Sequence, residues 1–314
     1  MSARRLLILP QIQVQKANAL SSPFSVGFPA MTAWLGFTHA LQRKLNQVDY
    51  DELRFIATAV VSHEFKMQAH KGEGDFVYSL IGTANPLDKD GSRSSFIEEP
   101  SCHLTVSLVI EWQGNEDELL DETDEFIAQV DKLMHSMKLA SGDIQSFAKP
   151  EITTINTEDS KAFHKLKRQL MPGYLIIERR DLMIEAMAQQ QNIDALDAML
   201  SYLTVNHSCI QKEVEPQEPD QSQKAATEPS WISQRKVSGW LVPIATGFQG
   251  VSELGFAQNQ RDPNVLHRFV ESVVTLAEFV MPHRIQNLDD MLWHYHTDEQ
   301  KNLYLCQQKN QIKV

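Results

Sequence analysis

The chain has 314 residues, 42% hydrophobic and 22% charged, which suits a globular protein of one large or two ordinary domains. No window approaches the ~18 consecutive apolar residues of a membrane span, and Pro10 breaks the N-terminal MSARRLLILPQIQVQ before a signal-like core develops. Cys102, Cys209 and Cys306 are far apart and odd in number, which excludes a disulfide framework and points to reduced thiols in a cytoplasmic protein.

The net charge of -12 argues against phosphate binding until its location is considered. The stretches 116–125 and 213–228 carry -7 and -4 of it, so the remainder is nearly neutral. Lys161 to Arg180, by contrast, holds six bases and one acid. A local patch of this kind decides binding more than the whole-chain sum does.

In chain order, Arg5 to Gln15 alternates apolar and polar residues and predicts a strand. The loop KANALSSPFSVGFP follows, and then a helix over 30–45, whose Met31, Trp34, Phe37, Leu41 and Leu45 recur at three and four. Its other face gathers Thr32, Gly36, His39 and Arg43. Residues 54–69 and 102–112 read as strands. Between them, His70 to Pro100 is broken by Gly72, Gly74, Asn85-Pro86 and Asp90-Gly91, which predicts a projecting flap.

An acidic helix is expected around 117–138, and a second helix over 161–171 with Lys161, Lys165 and Arg168 on one stripe, ended by Pro172-Gly173. Tyr174 to Glu178 predicts a short strand, and Asp181 as an N-cap opens a helical stretch to about Leu203. Gln211 to Pro229 is rich in Glu, Gln, Pro and Ser and predicts a disordered linker, placed at 205–230, before structure resumes at Trp231. The segments 5–69 and 174–203 both begin strand, helix, strand, a weak sign of two halves.

No P-loop, dinucleotide fingerprint, HExxH or GxSxG occurs, which disfavours a cofactor enzyme. DKDGSRSS at 88–95 lacks the glycine position and terminal glutamate of a calcium loop. His294 and His296 share a strand face with no third ligand of matching pattern, so a structural role is expected over zinc. His39 titrates near neutrality and is suited to acid-base work on a phosphodiester, but a contact role is favoured.

NALSSPFSVGFPAMTAWLGFTHALQRK (18–44), NPLDKDGS (85–92), RQLMPGY (168–174), GWLVPIATGF (239–248), RFVES (268–272), PHR (282–284) and LWHYH (292–296) together resemble the Csy-two family. That family belongs to the RAMP superfamily and supplies a subunit of the type I-F CRISPR Csy surveillance complex. The resemblance spans most of the chain and fades over about 113–160 and 205–230.

It implies an α+β fold with a ferredoxin-like, RRM-derived core over 1–204, a thumb at the flap, and additional C-terminal α/β elements over 231–314. It implies binding of the crRNA 5′ handle and pairing with the large subunit. An adjacent backbone subunit is a further partner, target DNA is contacted only indirectly, and no catalysis, metal, cofactor or membrane is involved.

The residues placed at the RNA are Lys16, Asn18, Ser21, Ser22, His39 and Arg43. A Gly-rich loop at 246–263 adds Gly247, Gly250 and Arg261, its glycines letting amides reach phosphates. The flap adds Arg93 and one stacking aromatic, Phe76, Tyr78 or Phe96, with the choice among the three open. Lys165 and Arg168 complete the set. Two alternatives stay open: an endoribonuclease that processes precursor crRNA through His39, and a scaffold with no RNA contact.

Overall fold

The structure, a computed structural model, describes residues 3–80, 86–93, 99–114, 123–156, 160–189, 192–213 and 227–309. β1 (Ala3–Asn18) leads through a small hairpin, β2 (Leu20–Ser22) and β3 (Ser25–Val26), into α1 (Met31–Leu45). β4 (Arg54–Met67) follows, then the flap with β5 (Ala69–His70) and β6 (Ser79–Leu80), then β7 (Ser101–Gln113) and α2 (Thr123–Met134). Next come β8 (Lys138–Leu139), β9 (Gly142–Ser146), β10 (Glu151–Asn156), α3 (Ser160–Gln169) and β11 (Tyr174–Glu178). α4 (Arg180–Gln189), α5 (Ala195–Leu203) and a hairpin of β12 (Asn206–Glu213) and β13 (Thr227–Gln234) precede β14 (Leu241–Gly250) and β15 (Val270–Val280). Two 3-10 turns, Pro282–Arg284 and Leu288–Met291, lead to β16 (Trp293–Asp298) and β17 (Leu303–Gln308).

One antiparallel sheet of 11 strands organises this α+β fold, in the order β11-β15-β14-β17-β16-β4-β7-β1-β9-β8. β10 pairs with the first half of β1, and β11 also pairs with β4. The second pairing closes a ring through β4, β16, β17, β14, β15 and β11. The segment β1-α1-β4-β7-α2-β10 lays its strands side by side as β10, β1, β7, β4. Further on, β11, the α4-α5 pair, β14 and β15 repeat the first part of that order, with β15 again between β11 and β14.

The strands of β1, β4 and β7 are apolar on both faces because both are covered. Leu7, Leu9, Val60, Leu108 and Ile110 pack with Trp34 and Leu41 of α1 and Phe126 and Val130 of α2. Their sequence neighbours Leu6, Ile8, Ala59, Val61 and Val109 pack on the other side with Leu166 and Leu170 of α3 and Leu288 and Met291. α1 therefore buries the stripe its spacing predicts, and the Trp34 indole N–H donates to the Pro29 carbonyl at 3.1 Å. A third cluster seats Leu182, Met183 and Ala186 of α4 and Ala198 and Tyr202 of α5 against Leu241 and Leu276.

Two local expectations change. Asp181 lies inside α4, and the stretch to Leu203 is two helices, the second capped by Asp194, whose side chain accepts from the Asp197 amide at 2.8 Å. The segment expected to be a linker instead pairs Asn206–Glu213 with Thr227–Gln234 along their whole length. Backbone pairing does not need the apolar alternation that was sought, and the acidic residues 214–226 lie outside the described residues.

Candidate RNA-binding surface

Strand polarity gathers the loops at one end of the sheet. There β1 finishes, β4 finishes and β7 starts, with Asn18 opposite Ser101 and Met67 opposite Cys102. Tyr174, which starts β11, stands opposite Ser62. Both the 19–30 loop and the flap leave from this end.

Lys16 sits in a bulge of β1, between the registered residues Val14 and Ala17, with a left-handed φ of 54°. Its amide donates to His103 Nδ1 at 3.1 Å, which fixes the bulge and leaves the ammonium exposed. Gly142 of β9 packs so closely here that a Cβ would stand 2.6 Å from the Gln15 carbonyl oxygen and 2.8 Å from the Ala17 nitrogen. Exposed Asn18 brackets Leu20, accepting from its amide at 3.0 Å and donating to its carbonyl at 3.1 Å.

The serines behave differently from the sequence expectation. Ser21 and Ser22 meet the Ser25 hydroxyl at 3.0 and 2.7 Å, and Ser22 also accepts from the Phe24 amide. Ser22 is buried, so its hydroxyl shapes the turn instead of facing outward. The turn instead presents Phe24, 79% exposed, which the sequence reading passed over because nothing in its spacing sets it apart.

Behind the loop runs a chain of aromatic rings. Phe28 stacks on Trp34 at 5.2 Å and meets Phe279 edge-on at 5.3 Å, while Phe65 of β4 lies 6.1 Å from it. Phe279 continues to Trp240 at 5.1 Å and Trp240 to Tyr174 at 5.5 Å. Three separate sequence segments, 18–29, 168–174 and 239–248, thus meet at this end.

The flap projects Phe76, 97% exposed, and Tyr78, with Lys71 Nζ 5.5 Å from the Tyr78 ring centroid. Arg93 is exposed and its backbone bridges to Leu87 around a turn where Asp90 accepts from Ser92 at 2.6 and 3.0 Å. Phe96 and Asn85 lie outside the described residues.

The other candidates stand elsewhere. α1 runs away from the loop end, so exposed Arg43 occupies its last turn at the far end of the sheet. His39 is exposed midway, edge-on to Tyr295 at 6.3 Å. β14 also runs away from Trp240, which places Gly247, Gly250 and the exposed Arg261 of the 251–269 loop at that far end.

The Gly250 amide is engaged within the chain, and Gly247 answers to packing. A Cβ on Gly247 would stand 2.0 Å from the Tyr304 carbonyl oxygen, so close approach of β17 requires glycine, and the Gly250 amide already donates to Asn302 at 2.8 Å. Lys165 and Arg168 are exposed on α3, across the sheet from α1. Their neighbour Lys167 is buried, donates to the Ile285 carbonyl at 2.9 Å and lies 4.8 Å from the Phe163 ring centroid.

One histidine has the build of a catalytic pair. His63 Nδ1 faces the Pro172 carbonyl at 2.6 Å and Nε2 faces Ser107 Oγ at 2.7 Å. The carbonyl can only accept, so Nδ1 carries the proton and Ser107 donates to Nε2. Ser107 Oγ also accepts from the Gln11 amide at 2.9 Å, and the residue is 2% exposed. No substrate reaches such a hydroxyl, so the pair acts as a brace between β1, β4, β7 and the Pro172-Gly173 turn.

His294 is buried, which lowers its pKa, and among the described residues no group of three His, Cys, Asp or Glu side chains is arranged to hold a metal. Burial pushes the Cys102 and Cys306 thiols up to about 12, far from the thiolate form that reacts. Among the described residues no helix is long and apolar enough to cross a membrane.

Fold and surface together define an α+β protein built on one antiparallel sheet, with exposed cations and aromatic rings gathered on loops at one end. A family described as CRISPR-associated protein (Cas_Csy2) matches residues 7–306. CRISPR-associated protein Csy2 of Pseudomonas aeruginosa (strain UCBPP-PA14) is 34% identical over 317 residues, covering 95% of this chain and 94% of that protein. The chain belongs to the Csy2 family, a subunit of the type I-F CRISPR Csy complex.

Proposed function

We propose that the loop end of the sheet binds the repeat-derived 5′ handle of the crRNA, and that the chain pairs there with the large subunit, without catalysis, in antiviral defence. The observation that carries this reading is the meeting of the 18–29 loop, the flap and the Trp240 region at one end, with Lys16 held outward by its bulge. Single-stranded RNA is held by cations on its phosphates and by aromatic faces on its splayed bases, and both are present on this surface.

The strand order β10, β1, β7, β4 with α1 and α2 on one face supports a ferredoxin-like, RRM-derived core. In this reading the flap is the thumb. Arg43 and Arg261, at the far end, serve contacts other than the handle, and Lys165 and Arg168 form a separate basic surface across the sheet. His39 is a contact residue and cuts no RNA.

The test is a gel-shift titration of the chain co-purified with the large subunit. RNA carrying the repeat-derived 5′ sequence should bind more tightly than a scrambled RNA of equal length. Replacing Lys16 by glutamate should remove that preference and shallow the salt dependence by roughly 0.7 in log-log slope for one lost phosphate contact. Equal binding of the two RNAs by the unsubstituted pair refutes the proposal.

A further inference from the structure

We infer that Trp240 is a stacking platform for an unpaired base of the crRNA 5′ segment. This rests on the handle-binding reading and adds to it a residue that the composition, charge and glycine patterns did not single out.

Trp240 is 54% exposed and stands directly before β14. Its ring contacts Tyr174 at 5.5 Å and 74° and Phe279 at 5.1 Å and 51°. Neither contact is a parallel stack, so neither uses up the stacking capacity of the indole. Its backbone is fixed as well, since the Trp240 carbonyl accepts from the Phe279 amide at 3.0 Å. Gly239 before it has a φ of 132°, and a Cβ there would stand 2.6 Å from Glu278 Oε1. The charge of Glu278 is met by Arg179, so the neighbouring carboxylate does not repel a phosphate unopposed.

A ring fixed in this way is already ordered before any ligand arrives, which lowers the entropic cost of binding. Phe279 also touches Phe28, so Trp240 shares one aromatic wall with the 19–30 loop. The exposed ammoniums of Lys16 and Lys66 stand at the same end of the sheet, where β1 and β4 finish. Continuity with that cationic loop selects a nucleobase as occupant: every base offers a π face, and its phosphates need nearby cations.

The tryptophan count makes the test direct. Of the five tryptophans, Trp34, Trp112 and Trp293 are buried, leaving Trp231 and Trp240 facing solvent. In the full chain carrying Trp231→Phe, acrylamide quenching therefore reports on Trp240. Handle RNA should protect this fluorescence, and RNA with abasic sites through the handle should not. In the chain co-purified with the large subunit, Trp240→Ala should weaken handle binding roughly 5- to 150-fold, whereas Trp240→Phe should retain most of it.

Handle RNA that binds without protecting Trp240, together with unchanged affinity of Trp240→Ala, overturns the stacking platform and leaves the handle-binding reading intact. Failure of the unsubstituted pair to prefer handle RNA overturns that reading first. In the co-purified pair the Trp240 signal is the difference between complexes with and without Trp240→Phe. Full protection of that signal by the large subunit, with no further change on adding handle RNA, makes Trp240 a protein contact and overturns the platform.

Discussion

Gly142→Ala tests how the fold holds Lys16 outward. The added methyl would stand 2.6 Å from the Gln15 carbonyl oxygen, 2.6 Å from Val14 Cγ1 and 2.8 Å from the Ala17 nitrogen. Ordinary contact needs about 3.4 Å or more, so relief requires a backbone shift of roughly 0.6–0.8 Å, and two of the three atoms are backbone. Overpacking of this size costs about 1–3 kcal/mol, a large share of a typical folding free energy of ~5–15 kcal/mol. The bulge that carries Lys16 lies between the crowded residues, so handle affinity should fall along with stability. Equilibrium urea unfolding, followed through the buried tryptophans, measures the first effect and gel shift the second. A loss below about 0.5 kcal/mol would mean that β9 is not seated on the bulge, and the proposed positioning of Lys16 would be wrong.

Burial raises the Glu178 carboxyl above its usual range, although Arg180 pulls the other way, so the folded chain holds this proton more tightly than the unfolded one. Its contribution to stability is present in acid and lost as pH rises through the raised folded value. Relative to Glu178→Gln, the unsubstituted protein should therefore gain stability as pH falls through the raised folded value toward the ordinary carboxylate range, and parallel urea midpoints over that fall would contradict this. His63→Ala and Ser107→Ala should each destabilise by about 1–2 kcal/mol and couple by roughly 0.5 kcal/mol or more in a double-mutant cycle, with strictly additive effects excluding the brace. Ala140 and Ser141 both have positive φ, 49° and 67°, in the β8-β9 turn. Ser141→Gly should raise stability by up to about 1 kcal/mol in thermal unfolding, the left-handed penalty of ~1–2 kcal/mol less glycine's entropic cost of ~0.5–1 kcal/mol, and a loss would show that the residue is not strained there. Labelled repeat RNA should stay intact with the purified chain, and a product lost in His39→Ala would establish an enzyme instead.

Periodicity in the sequence exposed the elements whose burial is regular. The α1 stripe, the strand at Tyr174–Glu178 and the alternation of β7 were legible because each turns a fixed face to a core. Pairing across long intervals was not. Nothing local shows that β11 joins β4 to β15, or that the loop after β1 meets Trp240 through Phe279, because these contacts depend on the whole sheet.

The candidate site was legible as residue types and illegible as an assembly. Lys16 and Asn18 lie at the loop end, whereas Gly247 and Gly250 answer to packing against β17 and its turn. Arg43 belongs to the far end because α1 runs antiparallel to β1, which spacing along a helix cannot reveal. The strands at Asn206–Glu213 and Thr227–Gln234 were not legible because their pairing is carried by backbone hydrogen bonds in a stretch without regular apolar alternation.

The most direct measurement is ultraviolet crosslinking of the intact complex followed by mass spectrometry of RNA-linked peptides from this chain. The account predicts handle crosslinks in the 16–29 loop, in the flap around Phe76 and Tyr78, and at Trp240. Crosslinks confined to 251–269 and the last turn of α1, with none at the loop end, would contradict it.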